Sequence, residues 1–145
     1  MPGVARPEQI VDPMIALAAL TFLVLLRIPF VRIRAAFAGR VSTEDFKLGE
    51  SPKVPGDVSL PNRNYMNLLE LPTLFYAVCL TLLALNKVES IDLVLAWVYV
   101  ALRGAHSIVH LTYNHVVHRL LVFATSNVVL SVMWIRLYLA LHGGN

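Results

Sequence analysis

Charged residues are scarce in this chain of 145 residues. Lysine, arginine, aspartate and glutamate together make up 14% of it, whereas 57% is hydrophobic. Soluble domains carry about 25% charged residues. The single cysteine, Cys79, leaves no intrachain disulfide and no cysteine-based metal site. These shortages exclude an ordinary soluble enzyme and a disulfide-stabilised secreted fold.

Four long apolar stretches take up most of the chain instead. Each approaches the ~20 residues that cross ~30 Å of hydrocarbon as a helix. The backbone must satisfy its own hydrogen bonds in lipid, which leaves helices for runs this long and non-alternating. We therefore predict an all-α membrane protein, with one four-helix transmembrane domain over residues 1–145. The predicted spans are 13–37, 63–86, 91–113 and 119–141, and the one substantial loop, rich in proline, is 39–62.

Basic residues concentrate on one side of the predicted spans. The segment between spans one and two carries Arg32, Arg34, Arg40, Lys47, Lys53 and Arg63. The turn before span four adds Arg119, whereas the opposite side has Arg6 and Lys87. The positive-inside rule then places loop 39–62 in the cytoplasm and both termini on the non-cytoplasmic side. An interfacial set is expected to face the outer headgroups at the end of span four: Trp134, Arg136 and Tyr138.

The basic residues do not predict a nucleic-acid partner. They lie beside membrane spans and have no interleaved aromatic residues. The expected partners are membrane lipids.

Polar side chains occur inside two of the spans, where each is costly. Arg63, Asn67 and Glu70 are spaced i, i+4, i+7, so they share a sector of about 60° on span two. A second polar stripe, about 80° wide, lies on span three. Its members are Arg103, His106, His110 and Tyr113. Two facing polar stripes predict a hydrated or ligand-filled cleft that opens to the cytoplasm.

Two interpretations of these stripes stay open from the residues alone. Glu70 and Arg103 fall near one depth in antiparallel spans, so they could form an ion pair that only fixes helix register. Alternatively, the stripes hold a ligand, which the number of polar groups favours. His106 and His110 have the i, i+4 spacing of metal ligands, but no further ligand is spaced to complete a site, so no metal is predicted.

Four segments resemble the MAPEG family, the membrane-associated proteins in eicosanoid and glutathione metabolism. The motif R-x3-N-x2-E that begins at Arg63 resembles the family's second-helix signature. The segment VRIRAAFA at 31–38 resembles the basic exit of the first helix, and RGAHSIVHLTY at 103–113 resembles the third-helix motif. Arg119 stands where the family places an arginine at the start of helix four. The resemblance covers the whole chain in length and topology.

The resemblance implies a homotrimer that binds glutathione between neighbouring subunits near the cytoplasmic face. The implied function is a glutathione-dependent transferase or peroxidase acting on lipophilic electrophiles that arrive through the membrane. The implied glutathione-binding residues are Arg32, Arg63, Asn67, Glu70, Arg103 and His106. Arg119 is implied to stabilise the thiolate, with His110 or Tyr113 as hydrogen-bond donor. The alternatives are a non-catalytic lipid- or ligand-binding protein of the same fold and a purely structural bundle.

The chemistry of the implied ligand suits these residue types. Glutathione carries two carboxylates and one amine, which arginine forks and a glutamate can bind. Its thiol, with a pKa of about 8.5, needs nearby positive charge to ionise at neutral pH. Two positions depart from the family pattern. His110 stands where the eicosanoid enzymes often have tyrosine, and Pro72 follows Glu70 by two residues instead of three.

Overall fold

The fold is built from helices alone over residues 6–143, which are the residues that the computed structural model describes. Five α-helices follow in order: α1 Val11–Phe37, α2 Gly56–Leu69, α3 Pro72–Ala84, α4 Ser90–Leu111 and α5 Val116–His142. A short 3-10 turn, Pro7–Ile10, precedes α1, and a second one, Thr43–Phe46, lies in the loop between α1 and α2. Helices α2 and α3 form one candidate span, so four segments are long and apolar enough to cross a membrane. The predicted class, an all-α protein with four membrane spans, is confirmed.

The loop predicted over 39–62 is shorter in the structure, because α2 begins at Gly56. The prolines of this region favoured irregular structure in the sequence, yet Pro61 lies inside the helix. A proline at that position removes one backbone hydrogen bond. Packing offsets this loss, since Val58 is buried in a small core with Ala35 of α1 and Val54. The hydrophobic contact between α1 and α2 therefore extends the second span toward the loop.

The second span is broken in the middle, at Glu70 and Leu71. Pro72 is the cause, because it has no N–H to donate to the Leu68 carbonyl and its ring crowds that carbonyl. Glu70 leaves the helical region with ψ −101°, and Pro72 starts α3 at the position that favours proline. Irregular backbone at membrane depth is tolerated where it is buried in protein or lines a cavity. The break therefore directs attention to the surroundings of Glu70.

An ion-pair cluster joins α4 and α5 at the end of the bundle where α4 begins. Arg136 Nε donates to Asp92 Oδ1 at 2.7 Å, and its Nη2 donates to Glu89 Oε2 at 2.8 Å. Asp92 is 2% exposed. Arg136 was expected to face the headgroups, but the structure shows it paired with a buried carboxylate. Which carboxylate pairs with Arg136 depends on how α4 packs against α5, and the sequence alone does not show this packing.

Two arginines order the loop between α1 and α2. Arg40 makes two hydrogen bonds to the Asp57 carboxylate, at 2.9 and 2.7 Å, and this partner raises the pKa of Arg40. Arg32 donates to Glu50 Oε2 at 2.9 Å, and its guanidinium lies 4.3 Å from the centroid of the Phe46 ring. These contacts attach the loop to the ends of both helices.

Candidate functional site

A cleft of about 500 Å³ lies beside the break, between α2, α4 and α5. Its walls combine polar side chains with a few apolar ones, among them Met66 and Phe123. Six of the nine residues predicted for the site line it: Arg63, Asn67, Glu70, His106, His110 and Arg119. The two helical stripes that the spacing predicted therefore do meet, and α5 closes a third side.

The α2 wall of the cleft consists of polar side chains that make no hydrogen bond or ion pair within the described protein. Arg63 and Glu70 are exposed, and Asn67 is half-buried. Within residues 6–143 no hydrogen bond or ion pair involves the side chains of these three. A guanidinium, an amide and a carboxylate are thus free to bind a ligand that carries both charges.

Arg103 lies behind this wall and supports it. It is fully buried, and its Nη2 donates to the backbone carbonyl of Asn67. That carbonyl belongs to the last turn of α2, where the break at Glu70 removes the usual i+4 donor. The Arg103 guanidinium also faces the Phe123 ring, with Cζ 5.4 Å from the centroid. Arg103 therefore caps the broken helix and joins α2, α4 and α5 beneath the cleft.

The ion pair expected between Glu70 and Arg103 is not formed in the described part of the chain. No oxygen of Glu70 lies within 4 Å of the Arg103 guanidinium, whose partner is the Asn67 carbonyl. The register-lock interpretation required that pair, so the structure removes its main support. Glu70 is left on the cleft surface, and a ligand-binding role for Arg103 stays a prediction.

Two buried histidines form the α4 wall. His106 and His110 are each 2% exposed, with ring centroids 5.8 Å apart. His106 Nδ1 lies 3.3 Å from the carbonyl oxygen of Arg119, which can only accept, so Nδ1 carries the proton in this contact. The other nitrogen of His106, Nε2, and Nδ1 of His110 are buried without a partner in the described residues. Buried polar atoms of this kind usually have a partner, which points to a ligand or water.

Arg119 reaches the cleft from the first turn of α5. Its Nη1 donates to Asn114 Oδ1 at 2.7 Å. Asn114 lies in the turn between α4 and α5 with φ 45°, a left-handed conformation that asparagine tolerates better than most residues. Asn114, which positions Arg119, was not predicted from the sequence, although an asparagine in a short turn between helices is a usable signal.

Arg32 and Tyr113 do not line the cleft of a single protomer. Arg32 is held by Glu50 in the loop, as described above. Tyr113 is 60% exposed, and its hydroxyl lies 3.1 Å from His118 Nδ1. The residues described contain no group of three or more His, Cys, Asp and Glu side chains placed to hold a metal ion. The roles predicted for Arg32 and Tyr113, and the absence of a metal, stay predictions.

The cleft lies on the broken second span, beside the polar stripe of the third, with an arginine at the start of the fourth. Residues 10–139, nearly the whole chain, match the sequence profile of the MAPEG family. The protein belongs to the MAPEG family. The resemblance inferred from the four motifs is thus confirmed. No curated protein and no solved structure gives a significant match to the chain. The MAPEG family includes glutathione transferases and peroxidases as well as other members, so membership alone does not choose the activity.

Proposed function

We propose that this MAPEG protein is a glutathione-dependent transferase or peroxidase that acts on lipophilic electrophiles. The observation that supports it is the α2 wall of the cleft. There, Arg63, Asn67 and Glu70 stand at the broken helix with side chains that bind nothing else in the described protein. A purely structural bundle has no use for such a wall, because an unpaired charge in a membrane span destabilises it.

The residues fit glutathione in number and in charge. Arg63 provides a fork for one of its carboxylates, Glu70 accepts from its amine, and the Asn67 amide can do either. The unpartnered nitrogens of His106 and His110 add two polar atoms at the buried end of the cleft. These assignments use the ordinary donors and acceptors of each side chain.

When bound, glutathione supplies a thiolate nucleophile for an electrophilic carbon or a peroxide oxygen. Arg119 provides the positive charge that favours the ionised thiol. His110 lines the cleft whereas Tyr113 does not, so we assign the neighbouring hydrogen bond to His110. The apolar side chains at the rim, Met66 and Leu120, are exposed and suit a substrate that arrives from the bilayer.

The decisive experiment replaces Glu70 by glutamine, which keeps the shape and removes the charge. We expect Glu70→Gln and Asn67→Ala each to weaken glutathione binding about ten- to a hundred-fold, because a charge-assisted hydrogen bond contributes about 1.5–3 kcal/mol. The measurement is the shift in thermal midpoint of the detergent-solubilised protein against glutathione concentration.

The matched control is Glu8→Gln, which also removes one exposed carboxylate but lies outside the cleft, in the turn before α1. It should show the same glutathione-induced shift as the wild type. If the shifts were equal in wild type, Glu70→Gln and Asn67→Ala, the glutathione assignment of this wall would be wrong.

We further propose that the protein works as a homotrimer, in which a neighbouring subunit completes the cleft. Arg32 supports this arrangement. The family resemblance assigns it to the glutathione site, yet it lies outside the cleft of its own protomer. It could therefore contribute to the cleft of a neighbouring subunit. Mass measurement in mild detergent should give three chains per particle. A monomer that still binds glutathione with full affinity would rule out a shared site.

We propose that both termini face the non-cytoplasmic side, as the basic loop requires. Leu48, at 99% exposure, is the natural reporter in that loop, whereas Cys79 is buried. A Leu48→Cys variant should react with a membrane-impermeant maleimide only from the cytoplasmic face. If the reagent labelled this variant from outside intact cells, the loop would lie on the non-cytoplasmic side and the proposed orientation would be wrong.

A further inference from the structure

A second groove runs along the outside of the bundle between α1 and α4, and the end of it nearer the loop also borders α2. Two adjoining cavities form it, of about 610 and 530 Å³, and they share Arg27, Phe30, Leu111 and Thr112. None of the residues that line the cleft between α2, α4 and α5 lines either cavity. We call this surface the α1–α4 groove, and it is a separate site.

The part of the α1–α4 groove that lies farther from the loop between α1 and α2 is apolar, and it opens sideways to the membrane. Leu23, Leu26, Phe30 and Ile108 line it and are all more than 60% exposed in the protomer. A molecule that enters here comes from the bilayer, because side chains of this kind face lipid. The walls suit an acyl chain.

The upper part of the groove is basic. Arg27 and Arg34 both line it and are spaced i, i+7, so they lie on one face of α1 about 10 Å apart along its axis. Neither side chain has a hydrogen bond or ion pair with any residue from 6 to 143. The third arginine that lines the groove, Arg40, is already neutralised by Asp57, which lines it too. Two uncompensated positive charges therefore stand above an apolar channel.

An anionic partner stabilises Arg27 at its position inside α1. It precedes Phe37, the last residue of α1, by ten residues, so it lies about 15 Å inside that end of the helix. An arginine at this depth is costly unless it pairs or reaches the interface. Reaching the interface brings its guanidinium toward Arg34, which repels it. An anion between the two arginines removes both penalties.

We propose that the α1–α4 groove binds an anionic glycerophospholipid. The headgroup phosphate lies between Arg27 and Arg34, and one acyl chain follows the apolar walls toward Leu20. A glycerophospholipid fits better than a fatty acid, because its phosphate, ester and headgroup oxygens are spread over several groups and can accept from two arginines that stand two helical turns apart. The two oxygens of a carboxylate lie on one carbon and match a single arginine fork. The bilayer that surrounds the groove also supplies phospholipid without limit.

The test compares the binding of phosphatidylglycerol and phosphatidylcholine to the full-length protein in detergent, by native mass spectrometry. The variants are Arg27→Gln, Arg34→Gln and the double replacement. Each arginine near an anionic lipid surface contributes about fivefold in affinity, so the double variant should lose about 25-fold for phosphatidylglycerol and little for phosphatidylcholine. Arg6→Gln is the matched control, since it removes an exposed arginine outside the groove.

Three outcomes would overturn the proposal. The first is an unchanged preference for phosphatidylglycerol in a folded double variant. The second is tighter binding of oleate that depends on Arg27 alone, which would make the groove a fatty-acid site. The third is efficient disulfide cross-linking of Leu23→Cys chains in membranes, which would show that another copy of the chain covers the groove.

Discussion

Arg136→Leu is expected to lower the free energy of unfolding by about 3 kcal/mol and to leave the proposed binding of glutathione unchanged. The variant removes the charged partner of Asp92 and leaves it only the Glu89 backbone N–H. Asp92 is 2% exposed and cannot regain water without opening α4 from α5. Breaking a buried ion pair costs about 3–5 kcal/mol, and the lower end applies because the Arg136 side chain is 31% exposed. Glutathione affinity should stay the same, since neither residue lines the cleft.

The measurement is thermal unfolding in detergent, with and without glutathione. The control is the double variant Arg136→Leu, Asp92→Asn, which removes both charges, keeps a side-chain oxygen for the Glu89 N–H and should recover most of the lost stability. A single variant as stable as the wild type would return Arg136 to the headgroup-facing role that its position in the sequence predicted. If a folded Arg136→Leu variant lost glutathione affinity, the ligand would have to bind near Arg136, and the cleft between α2, α4 and α5 would not be its site.

The spans and the polar stripes could be predicted because both depend on local sequence patterns. The spans follow from long apolar runs, and the stripes follow from the helical spacing of polar residues. Hydropathy summed over about 20 residues tolerates single exceptions. The spacing of Arg63, Asn67 and Glu70 fixes their common face whatever the helix packs against. The same reasoning brought His106 and His110 to the opposite wall. These five residues all line the cleft.

The partners of Arg103 and Arg136 could not be predicted in the same way. Arg103 binds a backbone carbonyl of Asn67 that is available only because Pro72 breaks the helix. Side-chain periodicity does not represent unpaired backbone groups, so a carboxylate, Glu70, was the natural partner to expect. Arg136 found its carboxylate 44 residues away in the chain, a contact that depends on how α4 and α5 pack.

The start of α2 shows the competition between local and tertiary signals. Pro55 and Pro61 read as loop residues, and the first residue of the helix is a glycine. Burial of Val58 against Ala35 outweighs these local preferences. Tertiary packing of this kind has no signature in a single sequence, so helix boundaries are where the prediction failed.

Arg119→Leu is expected to reduce the glutathione-dependent rate about 10- to 30-fold at pH 7, because a thiol with a pKa of about 8.5 is only about 3% ionised there. The prediction rests on the proposed function. Arg119 favours the thiolate, so its presence lowers the thiol pKa and its removal raises it. The loss should therefore be largest at low pH and shrink to less than about twofold by pH 9, where an unassisted thiol is mostly ionised.

The measurement is the pH profile of conjugation with a generic aromatic electrophile at saturating glutathione. Arg119→Lys keeps the charge and should keep most of the rate at pH 7, although it loses the fork that holds Asn114. Asn114→Ala keeps the charge and removes only its positioning contact, so its profile should keep the shape of the wild type at a reduced height. A rate loss in Arg119→Leu that is equal at pH 7 and pH 9 would show that Arg119 binds or orients the ligand without lowering the thiol pKa. The activating charge would then have to come from Arg63, the other arginine of the cleft, or from a neighbouring subunit.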